Sequence, residues 1–181
     1  MDREKAIKAI EDLLEALGED TSREGLKDTP RRVADAFAEF VSGENACAEE
    51  HLSKTFVCTS GDMVLEKDIA FSSTCEHHLM PFFGKIAIAY IPDGKVVGLS
   101  KLARTVEVFS KRLQLQERLT SQIAEEIMRC LAPVGVMVVC EAEHTCMTCR
   151  GVKKFGSKTL SYSIAGNFPE DKKREVLALL K

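Results

Sequence analysis

The sequence contains no tryptophan and only two tyrosines, and aromatic residues make up 6 % of its 181 positions. So few aromatic rings argue against a protein that binds single-stranded nucleic acid by base stacking. Neither sign of charge is in large excess, because 25 Lys and Arg residues are balanced by 28 Asp and Glu residues. The formal net charge is −3. An anionic ligand would therefore need a local basic patch, and nucleic acid is not an expected partner.

Long apolar runs and export signals are also missing. No run approaches the roughly 20 apolar residues of a membrane helix. The first residues, Met1–Lys5, begin an amphipathic helix rather than the apolar core of a signal peptide. Cysteine is plentiful, with seven residues, but the number is odd and a chain of this length needs no disulfides for its core. We therefore expect reduced thiols, a cytoplasmic location and no membrane partner.

The spacing of apolar residues alternates along the chain between helical and strand-like patterns. Helical spacing predicts helices over 3–17 and from Thr29–Pro30 to Gly43, then over 100–112 with Ser100 as the cap, over 116–131 and over 169–180. Strand patterns cover 63–74, 84–91, 134–146 and 159–166. Pairs of strands separated by a pair of helices predict an α+β fold, with an antiparallel sheet and the helix pair on one face.

Three of the four histidines lie beside cysteines. Cys75 and His78 are three positions apart, so a tight turn could present both to one ion. His144 and Cys146 would share one face of the predicted strand, because side chains alternate along a strand. Thiolate and imidazole ligands together favour zinc.

The spacing leaves two ligand sets open. With Cys149 as the fourth ligand, the site would be closed and structural. Without Cys149, three ligands would leave a position for water, which is the catalytic arrangement, and His77 and His144 would be available for proton transfer. A redox pair of Cys146 and Cys149 is a weaker interpretation, since a strand rather than a thioredoxin-like helix start accompanies it.

Charged residues accompany the cysteines and histidines. Lys101 and Arg104 lie one turn apart at the start of a predicted helix, where free N–H groups favour an anion. Arg150 follows the second cysteine cluster. Glu117, at the start of another helix, either interacts with the helix dipole or accepts two N–H donors from a planar base.

Four ordered motifs resemble those of the GTP cyclohydrolase I family. They are Ser73–His78, Gly98–Arg104, Gln116–Thr120 and His144–Gly151, and the resemblance runs from Thr29–Pro30 to the last helix. It implies the tunnelling fold, in which sheets of several subunits join into a barrel, and a homodecamer with sites at subunit boundaries. We expect residues 1–54 to form an N-terminal helical extension and residues 55–181 to form the catalytic domain.

The resemblance also implies a reaction, in which GTP and water give formate and 7,8-dihydroneopterin triphosphate. Cys75, His78 and Cys146 resemble the family's zinc ligands, and His77 and His144 resemble its catalytic histidines. The residues that resemble its substrate contacts are Gln116 and Glu117 for guanine, and Lys101, Arg104, Arg150 and, from an adjacent subunit, Arg32 for the triphosphate.

Three positions depart from the family pattern. Cys149 is not a usual residue beside the zinc motif, and it could serve as a fourth ligand or make the site sensitive to oxidation. Ser161–Ser163 replaces a stretch that is usually richer in threonine. Asp35 stands where some members carry a basic residue.

Overall fold

The computed structural model describes residues Met1–Lys181 and divides into two compact units, Met1–Ser42 and Gly43–Lys181. The first unit contains helices α1 (Arg3–Ala16) and α2 (Thr29–Phe40). The Asp2 carboxylate caps α1 by accepting a hydrogen bond from the Lys5 N–H at 3.0 Å. Asp35 on α2 accepts a hydrogen bond from Arg3 at 2.7 Å, so Asp35 joins the two helices. The predicted division at residues 54 and 55 stays a prediction.

The second unit combines helices and strands in the predicted α+β manner. Its helices are α3 (Glu49–Leu52), α4 (Leu99–Ser110), α5 (Gln116–Leu131), α6 (Thr145–Thr148) and α7 (Glu170–Leu179), after a 3₁₀ helix over Ser42–Asn45. Its strands are β1 (Thr55–Val57), β2 (Val64–Cys75), β3 (Pro81–Ile91), β4 (Lys95–Val97), β5 (Leu113–Gln114), β6 (Gly135–His144) and β7 (Thr159–Gly166).

Five strands form the main sheet, in the order β5-β2-β3-β6-β7. Strands β2, β3, β6 and β7 are antiparallel to their neighbours, and only the short β5 runs parallel, to β2. Thr74 lies opposite Pro81, and Phe82 lies opposite His144. This register places the end of β2, the start of β3 and the end of β6 at one end of the sheet, which is where the cysteine and histidine clusters meet.

The core lies mainly between the sheet and helices α4 and α5, which confirms the predicted helix pair on one face. Leu119 and Ile123 of α5 are fully buried in one cluster with Ile86 and Ile88 of β3. The alternate residues of β3 and β6 point the other way, as side chains of a strand must. There Ala87 and Met137 pack with Val176 of α7, so the C-terminal helix covers part of the opposite face.

Two local predictions are wrong. Helix α4 begins at Leu99 with the extended residue Gly98 at its N-cap and no side-chain cap, so Ser100 lies inside the helix. Strand β6 ends at His144, and Cys146 lies on the four-residue helix α6 rather than on the strand. The argument that His144 and Cys146 share one strand face therefore fails, because the chain turns into a helix directly after His144.

Candidate active site

A tight turn between β2 and β3 brings Cys75 and His78 together. The Cys75 N–H donates to the Met80 carbonyl at 2.8 Å, and the Leu79 N–H donates to the Cys75 carbonyl at 2.8 Å. Leu79 adopts a left-handed conformation, with φ of 53°, which allows the chain to reverse before Pro81. The result is a distance of 3.7 Å between Cys75 Sγ and His78 Nδ1.

Helix α6 adds the third candidate ligand from the other side. The Thr145 hydroxyl donates to the Pro81 carbonyl at 2.6 Å and fixes the start of α6 against the start of β3. The ligand atoms of Cys75, His78 and Cys146 then all lie within 4.8 Å of one another. Bonds of 2.0–2.3 Å in a tetrahedral zinc site separate neighbouring ligand atoms by about 3.6 Å, so the group is of the right size for such an ion.

Cys149 lies outside this group of three. Its thiol donates to the Thr145 carbonyl, one helical turn back, at a distance of 2.8 Å, and the residue is exposed. The arrangement therefore favours the set of three protein ligands over the closed set of four.

The local electrostatics suit a bound cation. His78 is exposed, but partial desolvation by its neighbours lowers its pKa, and the nearby charge of Arg150 lowers it further, which favours the neutral imidazole that binds metals. Burial raises the pKa of Cys146, and the neighbouring Cys75 raises it further. Two thiolates this close repel each other, and a divalent cation between them removes that cost.

His144 is held on two sides. Its Nε2 lies 2.8 Å from Oε1 of Gln116 on α5. Its ring stacks on Phe82, with 4.6 Å between the ring centroids and 3° between the planes. Burial lowers the pKa of His144, and the charge of Glu117 acts against that shift. Glu117 also contributes to the raised pKa of Cys140, about 12, for which burial is the main cause.

His77 is in a different environment, with 63 % of its side chain exposed. Its Nε2 lies 3.9 Å from a carboxylate oxygen of Glu76, and Glu76 in turn accepts a hydrogen bond from Arg118 of α5. Arg118 also donates to the Leu113 carbonyl at 2.8 Å. The sequence alone did not indicate this role of Arg118, although the residue lies in the Gln116–Thr120 motif.

The predicted basic residues fall into three groups. Arg150 lies near His78, whose pKa it affects. Lys101 and Arg104 lie on α4, and burial together with the charges of Arg104 and Lys54 lowers the pKa of Lys101, so Lys54 is a further member that the sequence did not indicate. Arg32 lies on α2 in the first unit, where it pairs with Asp28 at 3.2 Å.

The two serines of the Ser161–Ser163 stretch on β7 also have partners. The Ser161 hydroxyl accepts a hydrogen bond from the Gln116 amide at 3.1 Å, and the Ser163 hydroxyl lies 3.2 Å from that of Thr120. Both hydrogen bonds join α5 to β7.

A family model described as GTP cyclohydrolase I matches residues 6–181. The chain belongs to the GTP cyclohydrolase I family. As a member of this family it is an enzyme, a hydrolase. None of its helices combines the length and the apolar composition that a membrane-spanning segment requires.

Individual relatives agree with the GTP cyclohydrolase I family assignment. The chain is 59 % identical to the GTP cyclohydrolase 1 of Clostridium perfringens over 94 % of its own length and 92 % of that protein. It is 54 % identical to the Bacillus subtilis protein of the same name over 100 % of its length and 97 % of that protein. Among solved structures, an archaeosine synthase described as QueF-Like, in the apo form, matches with a TM-score of 0.49 and 20 % identity over 61 % of this chain and 100 % of that chain.

Proposed function

We propose that this chain converts GTP and water into formate and 7,8-dihydroneopterin triphosphate, the first step of tetrahydrofolate or tetrahydrobiopterin biosynthesis. The observation that carries the proposal is the group of Cys75, His78 and Cys146 next to His144, in a chain that is 59 % and 54 % identical to two GTP cyclohydrolases 1 over at least 94 % of its length. Seven free cysteines support a reducing, cytoplasmic location.

Zinc is the proposed metal, held by the two thiolates and the imidazole. When bound there, the ion would lower the pKa of a water ligand to about 7, so that hydroxide would be available at neutral pH. Three protein ligands are the number that leaves room for that water.

His77 is the proposed donor of a proton to nitrogen-7 of guanine, which makes carbon-8 a better electrophile. Its exposed side chain, adjacent to the ligand His78, supports this role, since the ring can reach a bound substrate. Hydrolysis at carbon-8 opens the ring to a formamide, and a second hydrolysis releases formate.

His144 is the proposed acid and base for the later steps, in which the ribose opens, rearranges and closes onto the exposed amine. Its half-buried and stacked ring supports the role, because a fixed geometry is what repeated proton transfer needs.

The remaining site residues are proposed to hold GTP. Glu117 would accept two N–H donors from guanine, with Gln116 beside it. Lys101, Arg104, Arg150 and Arg32 would bind the triphosphate, so that remote binding energy keeps the base in place. Arg32 would come from an adjacent subunit.

The assembly is proposed to be a homodecamer of the tunnelling fold, with sites at subunit boundaries. Two features of the sheet support association. Strand β7 is an edge strand with the exposed apolar side chains Leu160 and Tyr162, and most of β2 has no partner on one side.

The deciding experiment is incubation of the purified, zinc-loaded protein with GTP, with products identified by chromatography and mass. We expect formate and dihydroneopterin triphosphate. A formamidopyrimidine that accumulates would limit the activity to the first hydrolysis. Unchanged GTP with one tightly held zinc per chain would overturn the proposal in favour of a structural site.

A further inference from the structure

The side-chain amide of Gln116 is buried between β6, β7 and His144, with 1 % of the residue exposed. Its Nε2 lies within hydrogen-bond distance of three acceptors, which share its two hydrogens: the Cys140 carbonyl at 3.1 Å, the Thr159 carbonyl at 3.0 Å and the Ser161 hydroxyl at 3.1 Å. Its Oε1 lies 2.8 Å from His144 Nε2. Both polar atoms of the amide therefore have hydrogen-bond partners within the chain.

These partners determine which way the amide points. Carbonyl oxygens only accept hydrogen bonds, so the NH₂ group must face Cys140 and Thr159. A reversed amide would place Oε1 against two carbonyl oxygens at about the same distances, which is repulsive. Oε1 must then face His144.

The orientation of Gln116 in turn determines the tautomer of His144. Oε1 can only accept, so His144 Nε2 must carry the hydrogen. The ring cannot rotate freely away, because it stacks flat on Phe82. Nδ1 makes no hydrogen bond within the chain, and in the neutral ring it holds the lone pair.

We propose that Gln116 is a positioning residue, which fixes His144 in the Nε2–H tautomer and so leaves Nδ1 as the ring nitrogen that is open to a substrate. Gln116 Oε1 accepts the hydrogen bond from Nε2–H and holds that side of the ring against α5. The inference rests on the proposed function, because it specifies how His144 performs its part.

The first test needs no substitution of Gln116. Histidine-selective ¹⁵N labelling of the zinc-loaded protein, measured by magic-angle-spinning NMR without GTP, reports the protonation of each ring nitrogen. The chain has four histidines, and a His144→Asn variant assigns the signals of His144. We expect the neutral ring to carry its hydrogen on Nε2. A hydrogen on Nδ1, or a mixture of tautomers, would overturn the proposal.

The second test is Gln116→Met, which keeps the length of the side chain and removes the amide. We expect dihydroneopterin triphosphate formation to fall roughly 10- to 100-fold, with a formamidopyrimidine accumulating and the His144 tautomer becoming mixed. The control is Gln122→Met on the same helix, because Gln122 accepts a hydrogen bond from Gln114 at 2.8 Å and makes none with His144, whose side-chain partner is Gln116. It should keep the wild-type rate.

The outcomes separate this inference from the proposed function. A wild-type protein that forms no pterin product counts against the proposed function, while the tautomer is still decided by NMR. A Gln116→Met protein with the wild-type rate, or with the wild-type tautomer, counts against the positioning role. If that variant does not fold, the spectrum of the wild-type protein decides.

Discussion

At the scale of single residues, Cys146 and Cys149 can be separated by experiment. Cys146 Sγ belongs to the group of three ligand atoms, whereas the Cys149 thiol donates to a carbonyl of its own helix. We therefore expect Cys149→Ala to retain one zinc per chain and its activity, and Cys146→Ala to lose both. Metal content after dialysis, measured by mass spectrometry, checks the first part, and the GTP assay checks the second.

Cys47 provides the matched control, since it is also exposed and lies outside the ligand group. Cys47→Ala should behave as the wild type does. Loss of zinc in Cys149→Ala but not in Cys47→Ala would mean that Cys149 completes a closed structural site, and the catalytic interpretation would then be abandoned.

Residue types were more predictable than residue contacts. The spacing of Cys75, His78 and Cys146 predicted candidate ligands that the fold does bring within 4.8 Å of one another. Nothing in the local sequence predicted that Gln116 is buried, because its partners Cys140 and Thr159 come from strands β6 and β7 and meet it only through the register of the sheet. The role of Gln116 as a guanine contact stays a prediction.

At the scale of elements, helix α5 and the short strand β5 before it hold the turn that carries two of the ligands. Arg118 donates to the Glu76 carboxylate, and the Glu76 N–H donates to the Gln114 carbonyl at 3.0 Å. We expect Arg118→Ala to loosen the turn and to weaken zinc binding roughly 10- to 100-fold, since residues that support metal ligands have effects of this size. Competition with a chromogenic chelator measures the affinity directly.

Arg129→Ala is the control for this prediction, because Arg129 is on the same helix and pairs with Glu126 and Glu49 rather than with Glu76. It should leave the zinc affinity unchanged. Equal zinc affinities in Arg118→Ala and the wild type would show that the turn between β2 and β3 is rigid without α5.

Long elements with strong patterns were predictable, and short ones were not. Helix α5 was predicted with the bounds that the structure has, because its apolar stripe is long and Pro133 follows it. Strands β1, β4 and β5 have two or three residues each, too few for a period to be visible, and they form only because a partner strand lies beside them. Helix α6 was not predicted either, because its four residues are too few to show a helical period.

At the scale of the whole molecule, the proposed decamer requires each active site to take its residues from two chains. Arg32 lies in the first compact unit, and His144 lies in the second. If Arg32 binds the triphosphate at a neighbour's site, Arg32→Ala should raise the KM for GTP while leaving zinc bound. Arg31→Ala, on the same helix, should have a much smaller effect.

Mixed assemblies of Arg32→Ala and His144→Ala chains then test whether the two residues come from different subunits. Each site in such a decamer would draw His144 from one chain and Arg32 from another, so random assembly restores both in about a quarter of the sites. At a GTP concentration well below the KM of Arg32→Ala, we expect co-expressed variants to regain about that share of the wild-type rate, measured per chain after light scattering has confirmed the assembly. If Arg32 acted within its own chain, every site would lack one residue, and the mixture would be no more active than the two variants assayed separately.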